Sequence, residues 1–463
     1  MYSRPQKSDL DAWNIPGWSY DELLPYMKKL ETFHRTDPNA RLEHHGTSGP
    51  IHISQGTYRS DRVTNAFLDA ASSLNIPISP DLSDPETPIG AQSALRFISP
   101  DGARQDTFSR YVLPLLSTRP NLHVLHSHRV QRILFSPDNT RATGVELDTG
   151  ATISTKKMVV SSAGAIGTPL LLQRSGIGKP PILSSAGISL IQSLPVGEAY
   201  QDHDLFFVPY YSDLQPNETL DSFSTGRSGP AAEHLGWNAQ DVTAKLRPAP
   251  SELGPFQSIW HDFASKPDKP LGLMSLVVVN PLPDAPEESY FSLSAFTAHP
   301  YGRGHVYLTS SGMDFDAGIL GDRVDLEMSK WLYKKQRAIA RRMECYRGEY
   351  GAGHPPFEEG SEAWCGRQEG PVMEEIKYSE EDDRVLETWL RGNVGTTWHS
   401  LGTCRMGGVV DERLRVMGIE GLRVADLSVA PGNVGANTGV TAMVIGERAA
   451  GLFGQELGLE TGV

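Results

Sequence analysis

His399, within Thr397-Trp398-His399-Ser400, carries an imidazole that titrates near neutral pH and can take a proton from a hydroxyl. A satisfied core histidine following a tryptophan would look the same in isolation. Asn437 stands one residue before Thr438, where a helical pattern begins. Its side chain can hold an oxygen of a small molecule, or its oxygen can cap the helix. Both roles draw on the same oxygen, while the amide donors remain free. The helix start at Thr438 to Val440 offers free N–H groups and the positive end of a dipole, a setting suited to negative charge.

Other clusters point to less chemistry. His123, His126 and His128 raise the question of a metal, but on a strand only His126 and His128 would share a face. No carboxylate or cysteine joins them at ligand spacing, so no metal site is expected. Cys345, Cys365 and Cys404 are odd in number and widely spaced, which argues against a disulfide framework and against a cysteine-based zinc site. Gly164-Ala165-Ile166-Gly167 follows a strand and precedes a helix; it is an incomplete dinucleotide fingerprint and reads as close strand–helix packing. The absence of G-x-S-x-G disfavours an α/β-hydrolase.

The elements that must position these residues follow from periodicity. Ser19, with Glu22 three residues on, opens a helix that contains Pro25, and Ser60 is placed to cap a helix over 61–75. Residues 122–135 and 143–154 alternate like strands. A short apolar strand at 157–161 leads into a helix, and the same strand–helix order recurs over 421–453. Between them, MSLVVVNPL, SYFSLSAFTA and GHVYLTS read as strands of one antiparallel sheet, and DLEMSKWLYKKQRAIARRME reads as an amphipathic helix. The acidic run 380–383 reads as a solvated helix start. The pattern predicts an α/β nucleotide-binding domain interrupted by an inserted α+β domain.

The 463 residues carry a net charge of −14 with 21% charged residues, so sizeable cores are possible and a nucleic-acid partner is not expected. An acidic membrane surface is disfavoured for the same reason. No segment has the length and apolarity of a membrane span, and the first residues lack the order of a signal peptide. Together with the few cysteines, this points to a reducing, cytoplasmic setting.

Three segments together resemble the glucose-methanol-choline (GMC) oxidoreductase family. They are GAIGTPLLLQRSGIG at 164–178, PVGEAYQDH at 195–203, and TWHSLGTCRMG at 397–407 followed by GLRVADLSVAPGNVGANTGVTAMVIGERAA. Ala199 departs from the asparagine of that family's VGxNxQDH turn. HGTSGPIHIS, KPDKP, FDAGILGDRVDLEM and EEDDRVLETWLR resemble the fungal alcohol-oxidase branch. The chain is shorter than that branch between Cys365 and Tyr378.

The resemblance implies an FAD-dependent enzyme that oxidises an alcohol CH–OH to an aldehyde or ketone, with oxygen or another acceptor taking the electrons. It implies His399 as the base and Asn437 as its partner on the substrate oxygen. It implies cofactor contacts at Val130, through its backbone to adenine, and at Trp398, Ala425, Asp426, Thr438 and Val440. The implied fold is two-lobed, an FAD-binding α/β domain with an inserted substrate domain on an antiparallel sheet. The implied division is residues 1–205, a loop-rich substrate-domain segment 206–295, and 296–450. The family's opening strand, G-x-G-x-x-G and helix do not occur in these residues, so the α/β domain is expected to lack its first βαβ unit. A non-catalytic remnant and a lyase that uses flavin structurally stand as alternatives. Because that glycine loop cradles the pyrophosphate, the 463-residue chain is expected to retain FAD weakly. Stoichiometric flavin carried through gel filtration would contradict this.

Overall fold

Two apolar runs of strand length form the middle of the molecule's largest sheet. In the computed structural model, which describes residues 1–224, 234, 236–282 and 284–459, strands Gly272–Val277 and Tyr290–Thr297 pair antiparallel and are buried along their whole length. The sheet runs Tyr346–Glu349, Asp204–Ser212, Tyr290–Thr297, Gly272–Val277, Gln240–Leu246, Gly90–Ser93, and the short strand Gly395–Thr396 also pairs with Asp204–Ser212. One face is packed by Met274, Leu276, Leu293 and Ala295 against helices Asp61–Ser73 and Arg323–Arg342. The other face presents Leu205, Leu273 and Phe296 toward the residues around His399.

Strand Gln240–Leu246 lies inside the segment that reads as loop-rich. Its sequence, QDVTAKL, hides its pattern because polar residues are buried too. Lys245 is the clearest case: its ammonium donates to the carbonyls of Arg4 at 2.8 Å and Leu82 at 3.2 Å, and to Gln6 Oε1 at 3.1 Å. Burial pushes it down to about 8, yet all three donors are satisfied.

The two expected strand–helix pieces come together. Val159–Ser161 pairs in parallel with Leu422–Val424, and each leads toward a helix, Gly164–Arg174 and Gly439–Glu456. An antiparallel three-stranded sheet, Val130–Phe135, Ala142–Leu147 and Thr152–Ser154, flanks them. The expected α/β part with an inserted antiparallel sheet is therefore present.

Several local expectations are corrected. The strand predicted over 122–135 starts only at Val130; residues 122–129 are exposed and irregular, and His128 Nδ1 bonds the His126 carbonyl at 2.6 Å instead of sharing a strand face. Ser60 does not cap the helix at Asp61; its hydroxyl is buried without a partner, and its N–H donates to Asp241 at 3.0 Å. GHVYLTS forms strand Gly304–Thr309 of a separate three-stranded sheet with Gly312–Asp316 and Glu198–Tyr200. By contrast, Ser19 N–H donates to Glu22 at 3.0 Å as its spacing predicts, and the 380–383 run opens helix Glu380–Asn393 with Asp382 accepting from Ser379 N–H at 2.8 Å.

A buried charge cluster ties the first residues to the core. The Glu31 carboxylate accepts from Arg4 at 2.6 Å, from the Tyr2 hydroxyl at 2.7 Å and from His45 Nδ1 at 2.7 Å, and His45 Nε2 reaches Asp81 at 2.7 Å. Burial pushes the Glu31 carboxyl up, but Arg4 and His45 outweigh it and hold it below its ordinary 4.5. Replacing Glu31 by Gln leaves the buried Arg4 guanidinium without its carboxylate partner, and such losses cost about 3 kcal/mol or more. Urea unfolding at pH 7 is expected to show that loss for Glu31→Gln. A folded-state carboxyl held low stabilises above the unfolded value and ceases to do so as pH falls through the folded one. The gap between parent and variant should therefore narrow below about pH 4.5, and a gap that widened there would refute the ion-pair account.

Candidate active site

Three segments far apart in sequence meet at His399. Asp202 Oδ1 accepts the backbone N–H of His203 at 2.8 Å and of His399 at 3.0 Å. Asp202 Oδ2 takes the Thr396 hydroxyl, and the Tyr200 hydroxyl lies 3.2 Å away. Asn433 brings in the third segment, donating from Nδ2 to the Asp202 carbonyl at 3.1 Å. The Thr397 hydroxyl donates to the His203 carbonyl at 2.6 Å.

The His399 ring is 8% exposed. Its Nδ1 lies 2.8 Å from His203 Nδ1, and its Nε2 lies 3.4 Å from Asn437 Nδ2. Two atoms 3.4 Å apart leave room for one hydroxyl oxygen within about 3 Å of each. The Phe296 ring sits edge-on to His399, centroids 5.6 Å apart, and stacks on His203 at 5.0 Å. Burial, reinforced by His203, holds His399 well below the ordinary histidine range, so the imidazole rests unprotonated.

Asn437 does not cap the final helix. The final helix begins at Gly439, its N-cap residue is Thr438, and no side chain caps it. The Asn437 amide instead faces His399. The helix thus starts one residue later than the pattern at Thr438 suggests. Thr438 and Val440 are buried, Val440 within a core cluster, and neither lines the cleft described below.

A cleft of about 740 Å³ is lined by Ser162 to Ile166, Ala425 to Leu427, Met443 and Gly446, and by Trp398 and Ser400 on either side of His399. It lies at the carboxyl ends of the parallel strands Val159–Ser161 and Leu422–Val424, where open α/β sheets bind ligands. Of the expected cofactor residues, Trp398, Ala425 and Asp426 line it. Val130 opens its own strand against the core and does not. Asp426 is already engaged: Oδ2 accepts from Gly164 N–H at 2.9 Å and the Thr168 hydroxyl at 2.6 Å, and Oδ1 from Ser428 N–H at 2.8 Å. It fixes the start of helix Gly164–Arg174 against the neighbouring strand.

Two residues near His399 carry backbone strain. Trp398 has φ +59° and is 78% exposed, and Ala199 has φ +55°. A bulky residue at positive φ is an outlier. At Ala199, asparagine would tolerate the left-handed region better than alanine does. The functional neighbours that sequence reasoning missed are Asp202 and His203. Both stand in the PVGEAYQDH turn, but their partners are backbone groups that no spacing discloses.

Comparison with known proteins places these features in a family. Two family profiles described as GMC oxidoreductase match residues 1–205 and 300–446. Alcohol oxidase of Pichia angusta is 35% identical over 545 aligned residues, covering 99% of this chain and 81% of that protein. Choline oxidase of Arthrobacter globiformis is 30% identical, covering 96% and 77%. Among solved structures, pyridoxine 4-oxidase from Mesorbium loti superposes with a TM-score of 0.75 at 23% identity, covering 98% of this chain and 82% of that one. An FAD-dependent oxidoreductase from Chaetomium thermophilum gives 0.78 at 24%, covering 99% and 85%.

Asp202→Ala removes the acceptor shared by two buried N–H groups, each costing about 1–3 kcal/mol when unpaired. The variant should lose at least about 2 kcal/mol in chemical denaturation. A loss below about 0.5 kcal/mol, within the range of an ordinary surface change, would show that the two loops are held by something else.

Proposed function

Because the chain belongs to the GMC oxidoreductase family, we propose that it oxidises a small alcohol with FAD, His399 acting as base and Asn437 holding the substrate oxygen. The observation that carries this reading is the 3.4 Å approach of His399 Nε2 and Asn437 Nδ2, with Trp398 and Ser400 on either side of His399 lining the cleft. The domain division at 205 and 295 belongs to the same proposal.

The residues present fit the flavin. The cleft has the size of a small-molecule site. A Cβ on Gly164 or Gly446 would meet nothing within 4 Å, so both glycines leave its wall open. The uncapped start of the final helix supplies N–H groups and a positive dipole end at Gly439. Trp398, Ala425, Asp426 and the backbone at Thr438 and Val440 would hold the cofactor, with Asp426 acting through its backbone because its carboxylate is occupied. Val130 would meet adenine through its backbone. FAD, when bound, accepts the hydride that leaves the alcohol carbon, and with it both electrons.

The protein's own part is proton and position. The substrate hydroxyl proton passes to His399 Nε2 as the C–H bond gives up its hydride, leaving a carbonyl. Asn437 donates to the substrate oxygen and aligns the carbon. Burial behind Phe296 keeps the base unprotonated and limits water. Oxygen, or another acceptor, takes the two electrons in the second half of the cycle; alcohol oxidase and choline oxidase, the named relatives, are both oxidases.

His399→Ala, supplied with excess FAD under anaerobic alcohol, should bleach the flavin spectrum about 10²–10⁴-fold more slowly than the parent. Asn437→Ala should slow the same step yet cost little stability, because no capping bond is lost. Equal bleaching rates in His399→Ala and parent would remove this histidine from the chemistry.

A further inference from the structure

His203 stands directly behind the base, and its own bonding leaves it one role. Its Nε2 faces two backbone carbonyls, Ala298 at 3.1 Å and Val434 at 3.0 Å. Carbonyl oxygens only accept, so Nε2 carries the hydrogen and donates to both. A neutral imidazole with its hydrogen on Nε2 has a bare lone pair on Nδ1. That lone pair points at His399 Nδ1, 2.8 Å away, with the two rings at 87°. A short contact between two ring nitrogens requires one hydrogen between them, and His203 cannot provide it.

We infer that His203 is a positioning residue that fixes the tautomer of His399. His399 carries its hydrogen on Nδ1 and presents an unprotonated Nε2 toward Asn437 and the substrate. The Asn437 contact agrees: an amide Nδ2 faces Nε2, a donor toward a lone pair. Without His203, the ring could place its hydrogen on Nε2, where it cannot take a proton from the alcohol. After proton transfer, His399 becomes an imidazolium whose Nδ1–H remains bonded to a neutral acceptor, a charge-assisted bond stronger than the one it replaces. His203 stays neutral throughout, since burial, opposed in part by Asp202, holds it below the ordinary histidine range. The proton therefore has no onward route through His203, whose other nitrogen is already a donor to two carbonyls.

The inference rests on His399 acting as base, and its test separates the two claims. The tautomer is read by ¹⁵N NMR of histidine-labelled protein without flavin or substrate. Parent protein should show His399 with a protonated, pyrrole-like Nδ1 and a pyridine-like Nε2, and His203 with the reverse. His203→Phe keeps a ring but offers no acceptor; His399 should then shift toward the Nε2–H form. His203→Asn puts a carbonyl oxygen near the place of Nδ1 and should keep the Nδ1–H form. In flavin reduction with excess FAD, His203→Phe should lose about 10²-fold in limiting rate with little change in substrate KM, and Asn should recover most of it. An Nε2–H tautomer on His399 in the parent, or an unchanged tautomer in His203→Phe, would overturn the inference. If His203→Phe does not fold, the parent and His203→Asn spectra still decide it. A parent tautomer as described together with full activity in His399→Ala would leave the tautomer control standing and sink the base.

Discussion

One buried carboxylate holds the site together. Asp202 is 3% exposed, and its Oδ1 receives the N–H groups of two histidines that are 196 residues apart. A carboxylate taken out of water is costly unless its lone pairs are filled. Here backbone N–H groups and hydroxyls of Thr396 and Tyr200 fill them. The bonds reach the backbone, so they set where each histidine's Cα lies before either ring makes a contact. The ring–ring bond and the Asn437 approach both follow from that placement.

The third segment is brought in by the same logic. Asn433 reaches the Asp202 carbonyl, its N–H reaches Gln201, and Val434 lends its carbonyl to His203. Farther out, Asp9 accepts Gly435 N–H at 2.7 Å and pairs with His299 at 2.7 Å, which anchors the loop that carries Asn437. Burial pushes the Asp9 carboxyl up, but His299 and the Gly435 bond bring it below its ordinary value, so the anchor is charged. The loop that carries Asn437 is thus fixed by charge-assisted bonds, while Ala199 and Trp398 hold positive φ nearby. Strain of this kind persists only where the surroundings over-determine the backbone, and the Asp202 network supplies that constraint.

What the sequence discloses and what it hides divide along physical lines. His399, Asn437 and the two strand–helix pieces are legible because their signals are local: a motif block, a helix start, a short apolar strand. The central strands are legible as continuous apolar runs. Gln240–Leu246 is not, because Lys245 is buried against partners contributed by distant residues and Thr243 is buried as well. Ser60 looks like a cap, but its hydroxyl makes no capping bond and only its N–H is engaged, by Asp241. Residues 122–129 alternate without a neighbouring strand to pair with, and alternation alone does not make a sheet.

His203 shows why a functional residue can stand inside a quoted motif and still be missed. Its effect depends on the carbonyls of Ala298 and Val434, and any residue at those positions supplies a carbonyl. Side-chain identity there carries no information about the tautomer of His399; only the backbone path does. That path is set by the end of strand Tyr290–Thr297 on one side and by the Asp9-anchored loop on the other. The large antiparallel sheet therefore does more than wall off the substrate side. Ala298, just past the end of strand Tyr290–Thr297, supplies one of the carbonyls that the proposed tautomer depends on.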